Sequence, residues 1–268
     1  MPHNAVMDSG QGLVKVFAAG ARALARGGTF VLDQLYPPTC LACHQPVTQA
    51  HTLCGACFAQ LRHISAPYCP ILGIPFGVAL GPGALSAEAL ADPPPFERAR
   101  AAVAYNDAAR RIVSLLKYGD HPELARFCAR LMAPAGRDLW TDRPVLVPVP
   151  LHFTRRIERR YNQSAELAYA LAKILDLPCD PRLVRRSRRT RQQVGLTGDQ
   201  RRRNVSGAFT AHPDLVARLR GRRVVLIDDV LTTGSTVVAI THALKRAGVH
   251  QIDVMTFARV VIGLDLPI

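Results

Sequence analysis

Two groups of residues in this chain have types and spacings that point to chemistry. Cys40, Cys43, Cys54 and Cys57 form two Cys-x-x-Cys pairs with ten residues between them. Four thiolates spaced in this way complete the tetrahedral shell that zinc prefers. Gly55 permits the tight backbone of the second pair, and His44 and His51 are near enough in sequence to replace a ligand, although the four sulfurs already fill the shell. Such a site is closed, so it contributes folding energy and leaves no position for catalysis. The second group is Asp228-Asp229 followed, two residues on, by Thr232-Thr233-Gly234-Ser235-Thr236. Carboxylates accept hydrogen bonds from sugar hydroxyls, while a loop of hydroxyls and backbone N–H groups opening a helix holds an anion. An acid pair followed by such a loop suits a ribose that carries a 5′-phosphate. No lysine follows Gly234, so the string is not an ATPase P-loop. An ordinary turn before a capped helix would explain the two acids but not the whole string.

These residues need rigid elements behind them. Residues 224–227, Val-Val-Leu-Ile, are β-branched at three of four positions and lack alternation, which predicts a strand covered on both faces in a parallel sheet. That strand ends at the acids, where ligands of such sheets bind. Asparagine at either acid is therefore expected to weaken binding and leave folding nearly unchanged. A second apolar run at 144–151 contains Pro148 and Pro150 and reads as a strand leading into an irregular loop. Arg155, Arg156, Arg159 and Arg160 follow it, a cluster suited to pyrophosphate or to a solvated basic turn, and then Asn162-Gln163-Ser164 opens a helix. Upstream, residues 98–105 read as a strand, Asp107 caps a helix that ends at Lys117-Tyr118-Gly119, and a further helix spans 122–135. Residues 182–210 are polar and basic, with a capping box predicting a short helix over 199–205; they read as a closing flap or as a basic arm for nucleic acid. The helix after the 232–236 loop stops at Gly248, and a last strand lies at 252–257. The alternation gives an α/β domain with a mainly parallel sheet flanked by helices.

The chain has 268 residues with 34 Lys+Arg against 20 Asp+Glu, a formal charge of +14. This favours polyanionic partners. Residues 11–36 carry a rough helical stripe but also Lys15, Arg22, Arg26 and Asp33, so neither a membrane span nor a cleaved signal is expected, and the stripe reads as a helix packed on its own protein or lying on a membrane surface. Paired cysteines of metal-binding spacing place the protein in a reducing cytoplasm. The expected organisation is an N-terminal helical segment over 1–37, a zinc ribbon with a Pro/Gly-rich linker over 38–95, and the α/β domain over 96–268.

Residues 224–236 resemble the 5-phosphoribosyl-1-pyrophosphate (PRPP) signature of type I phosphoribosyltransferases. Almost the whole chain resembles the ComF family, through the four cysteines, Leu116-Lys117-Tyr118, Val147-Pro148-Val149-Pro150-Leu151, Tyr161-Asn162-Gln163-Ser164, Thr190 to Gln193, Arg203-Asn204, Ala208-Phe209 and the acid-and-loop string. The resemblance implies a small N-terminal zinc ribbon joined to a type I phosphoribosyltransferase-like fold. It implies Mg²⁺-bound PRPP, with Asp228 and Asp229 on the ribose hydroxyls, Thr232, Thr233, Gly234, Ser235 and Thr236 on the 5′-phosphate, and Lys117, Arg155, Arg156 and Arg159 near pyrophosphate. A phosphoribosyltransferase linked to DNA uptake or nucleotide salvage is one expectation. A non-catalytic protein that binds PRPP and single-stranded DNA, alongside DNA-uptake or helicase proteins, is the other. Two departures stand out. Cys69-Pro70-Ile71-Leu72-Gly73 keeps one cysteine of a second pair, so one structural Zn²⁺ is expected, and Arg160 stands where the family commonly has glycine.

Overall fold

The computed structural model describes residues 37–81, 83–118, 123–151, 161–187 and 207–261. The predicted helical segment before residue 37, the Arg155/Arg156/Arg159 cluster and the predicted helix at 199–205 lie outside these residues. The chain forms two compact units, residues 1–54 and 55–268, and the second takes in the segment 55–95 as well as the α/β fold.

In the first unit a knuckle forms around Cys40. Thr39 bridges Pro46 in antiparallel fashion, Cys40 N donates to Gln45 O at 2.7 Å, and Leu41 N donates to Thr52 O at 3.0 Å. In the second unit, two short helices, α1 (Gly55–Ala59) and α2 (Ala87–Ala91), precede a four-stranded parallel sheet. Its strands are β1 (Arg98–Ala104), β2 (Val145–Pro148), β5 (Val224–Leu231) and β6 (Ile252–Arg259), in the order β1-β6-β5-β2. A two-stranded antiparallel ribbon pairs β3 (Val184–Arg186) with β4 (Phe209–Ala211). The helices are α3 (Asp107–Tyr118), α4 (Glu123–Ala135), α5 (Gln163–Leu175), α6 (Pro213–Leu219) and α7 (Ser235–Arg246).

The absence of alternation in β5 and β6 has its physical counterpart in two covered faces. Val224 and Leu226 pack with Ile240, Leu244, Val184 and Phe209 in one cluster, while Val225 and Ile227 are as fully buried outside it. On the sheet, α5 contacts β5 and β2, and α4 contacts β1 and β6. The apolar positions Leu167, Ala168 and Leu171 put one stripe of α5 inward. Of the predicted flap only the ends, 182–187 and 207–210, are among the described residues; there Leu183, Val184, Ala208 and Phe209 are buried and tie the β3–β4 ribbon to the core.

The amino ends of the strands are held by charge. Asp253 is fully buried and receives Arg98 Nη2 at 2.7 Å and Arg223 Nη1 at 3.1 Å; Arg100 Nη2 reaches Asp138 Oδ2 at 2.6 Å. A buried carboxylate is tolerated because two guanidinium groups share it. With that end locked, the opposite end of β5 is free to carry chemistry.

Candidate functional site

The sequence places the end of the central strand at Ile227, but β5 continues through both acids to Leu231. The reason is β6, which supplies parallel partners along the extension: Asp228 opposite Thr256, Val230 opposite Ala258 and Leu231 opposite Arg259. The acids therefore sit on a rigid strand rather than in a turn. Alternation then separates their roles.

Asp229 points inward. It is 5% exposed, and its Oδ2 lies 2.6 Å from Lys117 Nζ, at the end of α3. The expectation that asparagine at either acid leaves folding nearly unchanged is corrected at this residue, since its charge is balanced inside the protein. Asp228 is half-buried, and its Oδ1 accepts from Ser164 Oγ at 2.8 Å and from the Asp229 backbone N–H at 2.9 Å. Burial, then the charge of Asp229, push the Asp228 carboxyl up to about 8, against the Ser164 hydroxyl, the Asp229 N–H and Lys117. A sugar hydroxyl or a cation arriving there meets a carboxyl already fixed in orientation.

Beyond Leu231, Thr232 and Thr233 are exposed, and Gly234 turns the chain at φ 72° to start α7. A side chain is strained in that left-handed conformation, so glycine suits it. Thr233 Oγ1 and Ser235 Oγ lie 2.8 Å apart, Ser235 is buried, and Thr236 is half-buried in the first turn. The loop thus gathers hydroxyls over the amino end of a helix, an anion-holding arrangement. Of the pyrophosphate-side candidates, Lys117 joins the acid pair, and Arg155, Arg156 and Arg159 lie outside the described residues.

Sequence reasoning placed Asn162, Gln163 and Ser164 at the opening of a helix, as found, but missed what they support. Ser164, 1% exposed in the first turn of α5, orients Asp228; Asn162 caps that helix through Ser164 N at 3.1 Å and ties it to β2 by donating to Val149 O at 3.1 Å. Tyr161 Oη donates to Leu116 O at 2.5 Å, fixing the residue before Lys117. The Tyr161-Asn162-Gln163-Ser164 string was visible, but its partners lie far away in sequence.

The cysteines form a separate site. The Sγ atoms of Cys40, Cys43, Cys54 and Cys57 all lie within 4.8 Å of one another. Burial raises the Cys40 thiol, but N–H groups of Cys54, Ala42 and Cys43 outweigh it and bring it down to about 6. Converging thiols, one of them stabilised as thiolate, fit a structural zinc ion. His44 and His51 are exposed and are not part of the cluster.

Residues 31–90 match a family model described as a double zinc ribbon domain, and residues 114–265 match the phosphoribosyl transferase domain. The chain is 32% identical over 229 residues to DNA utilization protein YhgH of Salmonella typhi, covering 83% of this chain and 97% of that protein. It is 35% identical over 153 residues to competence protein F of Haemophilus influenzae, covering 55% and 66% respectively.

The chain belongs to the ComF family.

Its fold is accordingly a zinc ribbon followed by a type I phosphoribosyltransferase-like α/β domain, with the acid pair and loop inside the matched stretch. Among solved structures, a purine phosphoribosyltransferase from Pyrococcus horikoshii covers 53% of this ComF chain and 90% of its own length, with 17% identity and a TM-score of 0.30. The Thermus thermophilus protein TT1426 gives 18% identity and a TM-score of 0.32 over 54% of this chain and 86% of its own. Among the described residues no helix is long and apolar enough to cross a membrane.

Proposed function

We propose that the protein binds PRPP at the carboxyl end of β5 and transfers its phosphoribosyl group, in the cytoplasm, in support of DNA utilization. The observation that carries this reading is the acid pair itself: Asp228 oriented by Ser164 and Asp229 N–H, beside a hydroxyl loop that opens α7. Asp228 and Asp229 would take the ribose hydroxyls. Thr232, Thr233, Gly234, Ser235 and Thr236 would take the 5′-phosphate through hydroxyls and helix N–H groups. Lys117, with Arg155, Arg156 and Arg159, would face pyrophosphate. Mg²⁺ brought in with PRPP would supply charge neutralisation for the leaving pyrophosphate.

In the proposed transfer a lone pair of the acceptor nucleophile forms the new bond to C1, the acceptor's proton passing to pyrophosphate or solvent. The C1–O bond to pyrophosphate breaks and its electron pair leaves with pyrophosphate, so positive charge grows on the sugar ring. The fixed carboxylates stabilise that charge, and basic groups stabilise the leaving group. To engage the ribose, Asp229 must share or release Lys117, which then becomes available to pyrophosphate. One ion pair thereby serves as the resting state of two binding groups.

A second reading, a PRPP- and single-stranded-DNA-binding protein without turnover, is favoured by the formal charge of +14 and by the names of the relatives. Pyrophosphate release from Mg-PRPP, measured against a panel of bases, separates the two. Release with one acceptor supports transfer, and saturable binding without release supports the second reading.

A further inference from the structure

Residues 67–91 repeat the ribbon of residues 38–59. Thr39 bridges Pro46, and Tyr68 bridges Pro75. In the first knuckle Cys40 N donates to Gln45 O at 2.7 Å, His44 N to Cys40 O at 2.9 Å and Val47 N to Pro38 O at 2.8 Å. In the second, Cys69 N donates to Ile74 O at 2.8 Å, Gly73 N to Cys69 O at 2.7 Å and Phe76 N to Pro67 O at 2.9 Å. Every partner is displaced by the same number of positions. The residue that reverses the chain has φ 61° at His44 and φ 64° at Gly73. Each cysteine sulfur accepts from the two N–H groups that follow in its knuckle, Ala42 and Cys43 or Ile71 and Leu72. Each also accepts from the residue before a five-residue helix: Cys54 before α1 and Ser86 before α2.

Superposing the two by these bonds puts Leu72 where Cys43 stands, Ser86 where Cys54 stands and Ala89 where Cys57 stands. One thiol, one hydroxyl and two hydrocarbon side chains do not make a zinc shell. The positions have been converted into core instead. Cys69 is 0% and Ala89 2% exposed, Leu72 packs against the cluster containing Phe96 and Ala99, and the Ser86 hydroxyl bonds to the Cys69 sulfur.

The backbone groups of this knuckle are then taken up by the sheet. Ala99 N donates to Ile71 O at 2.7 Å, Arg100 Nη1 donates to Pro70 O at 2.9 Å with its guanidinium 4.8 Å from the Tyr68 ring, and Arg259 Nη1 donates to Leu72 O. A Cβ at Gly73 would stand 2.4 Å from Ala99 O, so glycine is what lets the knuckle lie on β1. Arg259 ends β6 opposite Leu231, the residue before Thr232.

We infer that residues 67–91 are a metal-free second ribbon, in which the cross-linking role of a zinc ion has passed to an apolar core and to Arg100 and Arg259 seated on the knuckle carbonyls. The matched double zinc ribbon is thus double in geometry and single in metal. Zinc per chain, measured by elemental analysis on the purified full-length protein, tests this. The wild type and Cys69→Ser are expected to hold one equivalent each, and Cys54→Ser to lose it. Leu72→Cys/Ser86→Cys/Ala89→Cys is expected to gain a second equivalent, which would establish the positional equivalence. Two equivalents in the wild type, or loss of zinc on Cys69→Ser, would overturn the inference; so would a folded triple variant that still binds one.

Discussion

Asparagine at Asp229 and at Asp228 replaces one carboxyl group in each case, but the two changes should move stability in opposite directions. Asp229 is 5% exposed and 2.6 Å from Lys117 Nζ. Asp229→Asn removes the carboxylate nearest that ammonium, at a cost of about 1–2 kcal/mol, the lower part of the usual range because Lys117 keeps a quarter of its side-chain surface in water. In a domain of this size the Tm should fall by about 2–8 °C. Asp228 behaves otherwise, because burial and the charge of Asp229 push its carboxyl up to about 8 from an ordinary 3.8. The folded form therefore keeps a proton that the unfolded chain releases. The stability linked to that proton is fully present below pH about 4 and is lost as pH rises through about 8. Asp228→Asn cannot ionise, keeps an oxygen to accept from Ser164 and Asp229 N–H, and should gain stability over the wild type across that window, on the order of a few kcal/mol at its upper end. Urea melts of the three proteins at pH 5, 6.5 and 8 provide the comparison. Parallel pH profiles for wild type and Asp228→Asn, or an Asp229→Asn melt that does not move, would refute the argument. Both variants should also weaken Mg-PRPP binding, by about one to two powers of ten.

Ser164→Ala removes a hydrogen bond that orients Asp228 and should weaken Mg-PRPP binding by up to about tenfold while raising the pH at which binding develops; an unchanged pH profile would make Ser164 a packing residue. Gly73→Ala should destabilise the protein by about 1–3 kcal/mol, read from a thermal melt, because its Cβ meets Ala99 O and its φ is 64°. Single-stranded DNA binding through phosphates should weaken steeply with salt, and alanine at Arg185, Arg186, Arg188 and Arg189 should flatten that slope in a fluorescence titration. An unaltered slope would remove these arginines from the DNA contact.

The central strand was legible because 224–227 combines β-branching with a lack of alternation, a pattern that favours a strand covered on both faces over a segment of buried helix. Its extension through the acids was not, since that depends on β6 lying alongside. The acids and the hydroxyl loop were legible as chemistry from residue types alone. Their unequal environments were hidden, because Lys117 and Ser164 reach them from helices more than sixty positions away in sequence. The first ribbon announced itself through four cysteines. The second has the same hydrogen-bond pattern around one cysteine, and backbone geometry of that kind leaves little trace in a single sequence.

The measurement that bears most directly on the account is a calorimetric titration of Mg-PRPP into the purified full-length protein, alongside Asp228→Asn/Asp229→Asn. The account predicts one saturable site per chain in the wild type and none in the double variant. Absence of binding by the wild type, or equal binding by the double variant, would contradict it.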